Sequence, residues 1–233
     1  MKFGEAFKLP FTNIPVLIIG IVLLLVAMLA GIIPFVGWII SILIYLAVGG
    51  FYMGVANHAV SGKFKLAQWK QWGDLMKKGL MGFVISLIYS IPLLIYTVIV
   101  VSFLGATMLS GFVASGTDPT MALSGFATAV AAIIPFLIIG IIIWLITVYI
   151  MPSAIFSYAK KFKFGDAFNG KVFKKVWNGQ YFASWLAGGL VYYIVMVIVM
   201  MIPFVNIVLL PIWMFAGMIF LISLLGQTYS KIK

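Results

Sequence analysis

The stretch that decides the fold is IPVLIIGIVLLLVAMLAGII, residues 14–33, which contains no charged residue. A helix needs about 20 predominantly apolar residues to cross the hydrocarbon core of a bilayer. Five more runs of this kind follow, and none of the six contains Lys, Arg, Asp, Glu or His. We therefore predict an all-α polytopic membrane helical bundle, a single integral membrane domain over residues 1–233, with six transmembrane helices at residues 14–33, 38–56, 80–104, 127–151, 182–202 and 204–225.

The composition excludes most other classes of protein. Of the 233 residues, 65% are hydrophobic and 8% are charged, whereas about 25% are charged in an ordinary soluble domain. Fifteen basic and four acidic residues are too few to cover the surface of a soluble globule. The chain has no cysteine, which excludes disulfides, zinc–thiolate sites and iron–sulfur clusters. A soluble enzyme, a disordered chain and a secreted disulfide scaffold are excluded on the same grounds.

The lysines predict the orientation of the chain in the membrane. All basic residues are Lys, and they lie before the first span, between the second and third, between the fourth and fifth, and at the C-terminus. The other three connections contain no Lys. Lysine-rich connections remain on the cytoplasmic side of a membrane. We therefore expect a multi-pass protein of the cell membrane whose N- and C-termini are both cytoplasmic, which agrees with an even number of spans.

Short motifs recur along the chain and suggest a repeat. Residues 2–7 read KFGEAF, residues 163–168 read KFGDAF, and KLAQW at residues 65–69 is a looser third copy. The corner IPFV at residues 33–36 occurs again at residues 202–205. Each copy precedes a pair of spans, so we predict parallel hairpin repeats, each introduced by a basic segment; chance recurrence in a biased composition is the alternative. Residues 105–126, rich in Gly, Ser and Thr, are predicted to form an external loop.

Two cytoplasmic segments are predicted to be interfacial amphipathic helices, at residues 65–79 and 163–178. In both segments, apolar and aromatic residues recur at helical spacing and Lys occupies the other faces. Such helices lie in the membrane plane with their rings among the lipid headgroups and their ammonium groups near the phosphates. The alternative is that they cap the bundle and contact little lipid. The predicted headgroup-binding residues are Trp69, Lys70, Trp72, Lys77, Lys78, Lys171, Lys174, Lys175 and Trp177.

Outside the two predicted interfacial helices, the chain offers few polar residues that could form a catalytic or metal site. His58 is the only histidine and cannot build a metal site within its own chain, so we expect a structural role. The candidates for helix breaks are Pro92, Pro135, Pro152 and Pro211, and the alternative is that these prolines only kink their helices. Glycines allow helices to approach closely, and the predicted helix-packing positions are Gly50, Gly54, Gly188 and Gly189. We predict no catalytic residue, no cofactor and no metal site.

The chain resembles an uncharacterised multi-pass membrane family, the domain of unknown function four-zero-one-three, which is found mainly in archaea. The resemblance is carried by FTNIPV at residues 11–16, by GFYMG at residues 50–54 and by SGKFKLAQWKQWGDL at residues 61–75. It continues through MPSA at residues 151–154 and the second KFGDAF motif. The chain departs from the family pattern at Ala67, where Pro is usual, and in having no Arg. The resemblance implies a membrane topology and no particular activity.

Three functions remain open on the sequence. The first is a non-enzymatic scaffold or accessory subunit of a membrane complex, with a membrane-protein partner or further copies of the chain. The second is a protein that handles lipids or hydrophobic solutes, with anionic lipids of the cytoplasmic leaflet as its partners. The third is an oligomeric pore. Nucleic acid is not expected as a partner.

Overall fold

The computed structural model describes residues 3–115 and 119–232, and the side chains of residues 111–112, 114–126 and 128–132 lie outside the described part. The described residues form eight α-helices and two short 3₁₀ helices. The helices are α1 (Phe3–Lys8), α2 (Ile14–Ala30), α3 (Val36–Val60), α4 (Trp72–Ser115), α5 (Pro119–Lys161), α6 (Lys171–Val176), α7 (Gly179–Met200) and α8 (Asn206–Lys231), with 3₁₀ turns at Leu9–Thr12 and Phe164–Phe168.

The helices are long and apolar enough for a multi-pass membrane protein. Within the described residues, α3, α4, α5, α7 and α8 each contain a stretch that meets the requirements for a membrane span. The sixth predicted span takes a different form, because α2 has 17 residues and follows the Phe3–Thr12 segment at a bend of 80°. Asn13 at this bend begins α2, since its side-chain oxygen accepts a hydrogen bond from the Val16 N–H at 3.2 Å. The all-α fold is confirmed with five spans, or six if the bent pair is one span.

The prediction of a long external loop at residues 105–126 is wrong in most of its length. Helix α4 continues to Ser115 and α5 begins at Pro119, while residues 116–118 lie outside the described part. The hydroxyl groups of Thr107 and Ser110 donate to carbonyl oxygens three residues earlier in the chain. This local bonding lets hydroxyl residues continue a helix instead of ending it.

The chain divides into two compact units. Unit 1 comprises Met1–Ser86 and Ile150–Lys233, and unit 2 comprises Leu87–Tyr149. In unit 2, α4 and α5 lie side by side, and the Tyr96 hydroxyl donates to the Phe136 carbonyl oxygen. Gly140 lies beneath the Tyr96 ring, where a larger residue would not fit easily. In the most apolar 18-residue stretch of α4, and likewise in that of α5, only 6% of the residues are buried. Most side chains of these stretches therefore point outward.

The core of unit 1 is formed by the hairpins α2–α3 and α7–α8. The rings of Phe51 and Phe215 have no exposed surface and lie 5.3 Å apart at the centre of an aliphatic cluster. Trp69 stacks on Phe51 at 4.3 Å, and its indole N–H donates to the Val16 carbonyl oxygen at 3.0 Å. The segment before α4 is therefore tied to both helices of the first hairpin.

The two IPFV corners have the same turn geometry. Phe35 has φ 61° and ψ −72°, and Phe204 has φ 62°. In each corner the N–H of the following valine donates to the carbonyl oxygen of the preceding proline, at 2.8 Å for Val36 and 2.7 Å for Val205. This pattern is a γ-turn of the rare, strained kind. Both phenylalanine side chains are largely exposed at these corners.

Neither predicted interfacial helix is continuous. Residues 63–71 are not helical, and α4 begins only at Trp72 because Gln71 adopts a positive φ of 55° that no helix can contain. In the second segment, a 3₁₀ turn and α6 are separated at Asn169 and Gly170, residue types that favour turns. The adjacent residues Leu66 and Ala67 are both buried in the bundle. A single apolar stripe of a helix would not bury two adjacent residues equally.

Candidate functional site

Most lysines of unit 1 lie where α3, α5 and α8 end. We call this region the lysine-rich end, defined by residues 63–71 and 160–178 and the last turns of those three helices. The Asn57 side-chain amide on α3 donates to the Ala159 carbonyl oxygen on α5 at 2.7 Å. The Lys175 ammonium donates to the Tyr229 carbonyl oxygen on α8 at 3.2 Å. These bonds connect α3 to α5 and the segment of residues 160–178 to α8.

A basic cavity opens within the lysine-rich end. We call it the lysine pocket; its volume is about 200 Å³. Four lysines and one aspartate line it, together with a serine, an asparagine and a tyrosine. The lining residues are Ser157, Lys160, Lys161, Asp166, Asn169, Lys171, Lys175 and Tyr229. Such a concentration of donors around one small cavity is suited to binding an anion.

Helix α6 places two of these lysines on one side of the pocket. Val172 and Val176 are buried and attach the short helix to the bundle, and the Ser153 hydroxyl donates to the Val172 carbonyl oxygen at 3.2 Å. Lys171 and Lys175 are four residues apart and so lie on the same face of α6. The Asn169 side-chain oxygen accepts from the Lys171 N–H at 3.1 Å, which holds the Asn169 amide at the pocket wall.

Tyr229 forms the inner wall of the pocket. The Lys175 ammonium lies 4.3 Å from the centre of the Tyr229 ring, a cation–π arrangement. The Tyr229 side chain is 4% exposed, and its ring lies 5.6 Å from that of Phe156 on α5. Burial lowers the pKa of Lys175, and the positive charge of Lys160 lowers it further. A bound anion would relieve both effects, because it would compensate lost solvation and offset the neighbouring charge.

A second polar cavity of about 460 Å³, which we call the polar cleft, lies beside α3 and α4. The Lys78 ammonium is paired with Asp74 at 2.6 Å and lies 4.3 Å from the Phe162 ring. His58 Nδ1 lies 2.9 Å from the Lys65 carbonyl oxygen. Because a carbonyl oxygen can only accept, Nδ1 carries the proton of this bond. The positive charge in this cleft is thus partly neutralised, and His58 connects α3 to the following segment.

The predicted headgroup residues are distributed over several environments. Lys171 and Lys175 line the lysine pocket, Lys70 and Lys78 line the polar cleft, and Lys77 and Lys174 are exposed outside both cavities. Trp72 is about half exposed, and Trp177 is 87% exposed. Trp69 is packed against Phe51, and its N–H is already bonded within the protein.

Of the eight residues that line the lysine pocket, sequence reasoning identified only Lys171 and Lys175. Lys160 and Lys161 end α5, and Ser157, Asn169 and Tyr229 come from places that no motif connects. The only available signal was the short distance between the Lys160–Lys161 pair and the second KFGDAF motif. Tyr229 could not be found this way, because only the packing of α8 against α5 and α6 brings it to the site.

The four predicted packing glycines differ in their surroundings. A Cβ atom at Gly50 would overlap the Leu75 carbonyl oxygen, and one at Gly54 would lie 2.7 Å from the Ala67 Cβ. At Gly188 it would lie 3.0 Å from two leucine side chains of α8. At Gly189, no neighbouring heavy atom in the described structure lies within 4 Å. Close packing thus involves Gly50, Gly54 and Gly188 within the chain, while Gly189 has open space.

A metal centre finds no support in the described residues. Among them, no three side chains of His, Cys, Asp or Glu lie close enough together to hold a metal ion.

Comparison with known proteins identifies a family. A family profile described as "Protein of unknown function (DUF4013)" matches residues 33–204. No curated protein and no solved structure matches the chain. The matched range contains the first corner, the second corner except Val205, helices α3 to α7, the polar cleft and most of the lysine pocket. On this match, the chain belongs to the DUF4013 family of proteins of unknown function.

Proposed function

We propose that this chain is a non-enzymatic multi-pass membrane protein that binds the anionic headgroups of lipids at its lysine-rich end. The observation that carries the proposal is the lysine pocket, where four lysines and one aspartate surround a cavity of about 200 Å³. The excess of positive charge attracts phosphate groups, and lysine commonly binds phosphate as a point charge. The lipids concerned are those of the cytoplasmic leaflet, if the lysine-rich end faces the cytoplasm as the positive-inside rule predicts.

The surroundings of the pocket favour a lipid over a soluble anion. Phe164, Phe168, Phe173 and Trp177 are exposed on the same segment that supplies Lys171 and Lys175. Exposed aromatic rings beside ammonium groups are typical of surfaces that lie in the headgroup region. Each lysine near an anionic leaflet contributes about 1 kcal/mol to this attraction. The rings would hold the segment at the membrane surface while the pocket holds the phosphate.

The test compares two lysines of the same short helix. Both lysines are exposed, but Lys171 lines the lysine pocket and Lys174 does not, so Lys171→Gln and Lys174→Gln remove the same charge from different places. We expect native mass spectrometry of the protein in mild detergent to show fewer bound anionic lipids for Lys171→Gln and nearly unchanged binding for Lys174→Gln. Equal losses in the two variants would mean that diffuse charge, and no defined site, attracts the lipid.

A second candidate function is a scaffold or accessory subunit of a membrane complex. The observation that favours it is the low burial of α4 and α5, whose most apolar stretches are 6% buried in the chain by itself. Lipid alone can cover such a surface, and so can a partner helix. Gentle extraction from the native membrane followed by native mass spectrometry separates the two candidates. A stoichiometric second polypeptide, or a fixed number of copies of this chain, would favour the subunit function over the lipid-binding function.

A further inference from the structure

We infer that the lysine pocket selects phosphomonoester headgroups over phosphodiester headgroups. This inference rests on the proposed function and deepens it, because it names the chemical class of lipid. A phosphomonoester ends in a free phosphate group, as in phosphatidic acid, whereas a phosphodiester carries a further substituent on the phosphate, as in phosphatidylglycerol.

The balance of charge in the lysine pocket favours a phosphomonoester. Lys160, Lys161, Lys171 and Lys175 face one carboxylate, Asp166, which leaves an excess of three positive charges when all five groups are ionised. A phosphodiester carries a single negative charge. A phosphomonoester carries about −1.5 to −2 at pH 7, because its second pKa is about 6. The monoester therefore compensates more of the excess charge, and the attraction grows with each unit of ligand charge.

The number and arrangement of the hydrogen-bond donors in the lysine pocket also favour a phosphomonoester. The lysines come from two elements, the end of α5 and helix α6, so they approach the cavity from different directions. Each ammonium group has three N–H donors, and Asn169 and Ser157 add an amide and a hydroxyl. A terminal phosphate presents three strongly accepting oxygens. A diester presents two such oxygens and must also direct its second substituent out of the pocket.

The closed inner wall of the lysine pocket favours a phosphate group without a second substituent. Tyr229 is 4% exposed, and its ring lies against the Lys175 ammonium and 5.6 Å from the Phe156 ring. The pocket has a volume of about 200 Å³, below the range of about 300–1,000 Å³ that is typical for sites of drug-sized ligands. A bare phosphate group that enters end-on suits this space better than a phosphate with substituents on two sides.

The polar cleft provides an internal comparison. It is also lined by lysines, but its Lys78 is already paired with Asp74 at 2.6 Å, and its volume of about 460 Å³ is larger. The lysine pocket has one carboxylate for four ammonium groups. Of these two cavities, the lysine pocket therefore has the larger uncompensated charge in the smaller volume, which is the combination that favours a compact, doubly charged anion.

The test measures affinity for defined anions in detergent micelles at fixed ionic strength. The probes are short-chain phosphatidic acid, short-chain phosphatidylglycerol and inorganic phosphate, each titrated at pH 7.5 and at pH 5. At pH 7.5 we expect phosphatidic acid to bind about tenfold more tightly than phosphatidylglycerol, the effect of about one additional charge-assisted hydrogen bond. At pH 5 the preference should shrink, because the monoester is then mainly singly charged.

Two variants assign the binding to the pocket. Lys171→Gln should reduce the preference for phosphatidic acid, whereas Lys174→Gln should preserve it, because only Lys171 lines the pocket. Asp166→Asn should tighten the binding of phosphatidic acid, because it removes the one negative charge that opposes the ligand. A gain of affinity cannot arise from misfolding, so this variant keeps the test decisive if Lys171→Gln proves unstable.

The outcomes separate the inference from the function on which it rests. Equal affinities for phosphatidic acid and phosphatidylglycerol, both weakened by Lys171→Gln, would overturn the selectivity and preserve the proposed lipid binding. Failure of every lipid to bind would overturn both. Displacement of phosphatidic acid by an equal concentration of inorganic phosphate would identify a soluble phosphate as the ligand and overturn the assignment to lipids.

Discussion

The close crossing of α3 and α4 leads to a sharp prediction about two neighbouring glycines. A Cβ atom at Gly50 would overlap the backbone carbonyl oxygen of Leu75, and one at Gly79 would overlap the carbonyl oxygen of Leu46. One at Gly49 would meet only the Gly79 Cα, at 3.6 Å, which is ordinary van der Waals contact. Gly50→Ala should therefore separate the two helices, whereas Gly49→Ala should be accommodated.

The magnitude follows from comparing the two variants. Both replace Gly by Ala in the interior of α3, so the gain in helix propensity of about 1 kcal/mol is common to both. What remains is the overpacking at Gly50, which costs about 1–3 kcal/mol, and more where only backbone can move. For a chain of this size, each kcal/mol changes the melting temperature by roughly 2–4 °C.

The assay is thermal unfolding of both variants in the same detergent, followed by size-exclusion chromatography after heating. We expect Gly49→Ala to melt at or above the temperature of the unmodified protein and Gly50→Ala to melt several degrees lower. Gly79→Ala should behave like Gly50→Ala, and the double variant should cost less than the sum because both substitutions open the same crossing. A Gly50→Ala protein as stable as the Gly49→Ala protein would refute the crossing.

Three further predictions concern the bundle. Trp69→Phe should lower the free energy of unfolding by about 1 kcal/mol in chemical denaturation, since the indole N–H bond to α2 is lost. Trp72→Phe, at a half-exposed position, should change it little, and equal effects would mean that the Trp69 N–H bond contributes nothing. Asn178→Ala should cost about 0.5–2 kcal/mol in the same assay, because the Asn178 side chain accepts from the Gln180 N–H at the start of α7; no change would mean that this cap contributes nothing. The chain has no cysteine, so single cysteines can be placed at two exposed positions, one just before α4 and one within it, as Gln71→Cys and Val113→Cys. A maleimide reagent that cannot cross membranes should label these two variants from opposite sides of sealed vesicles. Labelling of both from the same side would contradict α4 as a membrane span.

The paired motifs show how far sequence reasoning reaches into structure. The two IPFV corners share a positive φ at phenylalanine and the same short hydrogen bond. In the KFGEAF and KFGDAF motifs, the alanines at the fifth position, Ala6 and Ala167, are both completely buried. Short stretches with the same sequence thus adopt the same turn at the two corners and bury the same alanine in the two motifs. The flanking elements differ, since the first motif begins α1 and the second forms a 3₁₀ turn, because their neighbours in the bundle differ.

The predicted interfacial helices show where sequence reasoning fails. Helical periodicity suggested that Trp69 and Trp72 share a lipid-facing stripe with Lys on the other faces. In the structure, Trp69 stacks on Phe51 at 4.3 Å and α4 begins three residues later, after the positive φ of Gln71. Burying an aromatic ring on the core stabilises the bundle more than continuing an exposed helix for two turns. Tertiary packing therefore overrides the local pattern.

The sequence by itself determined that the chain is an all-α membrane protein, and where most of its spans lie. It could do so because every backbone polar group in a bilayer must be bonded within its own segment, which makes long apolar runs helical. The tertiary structure alone decided which helices cross at Gly50 and Gly79, and which lysines surround one cavity with Tyr229. These features depend on side chains far apart in the chain, and their meeting is governed by shape and packing, which no local spacing encodes.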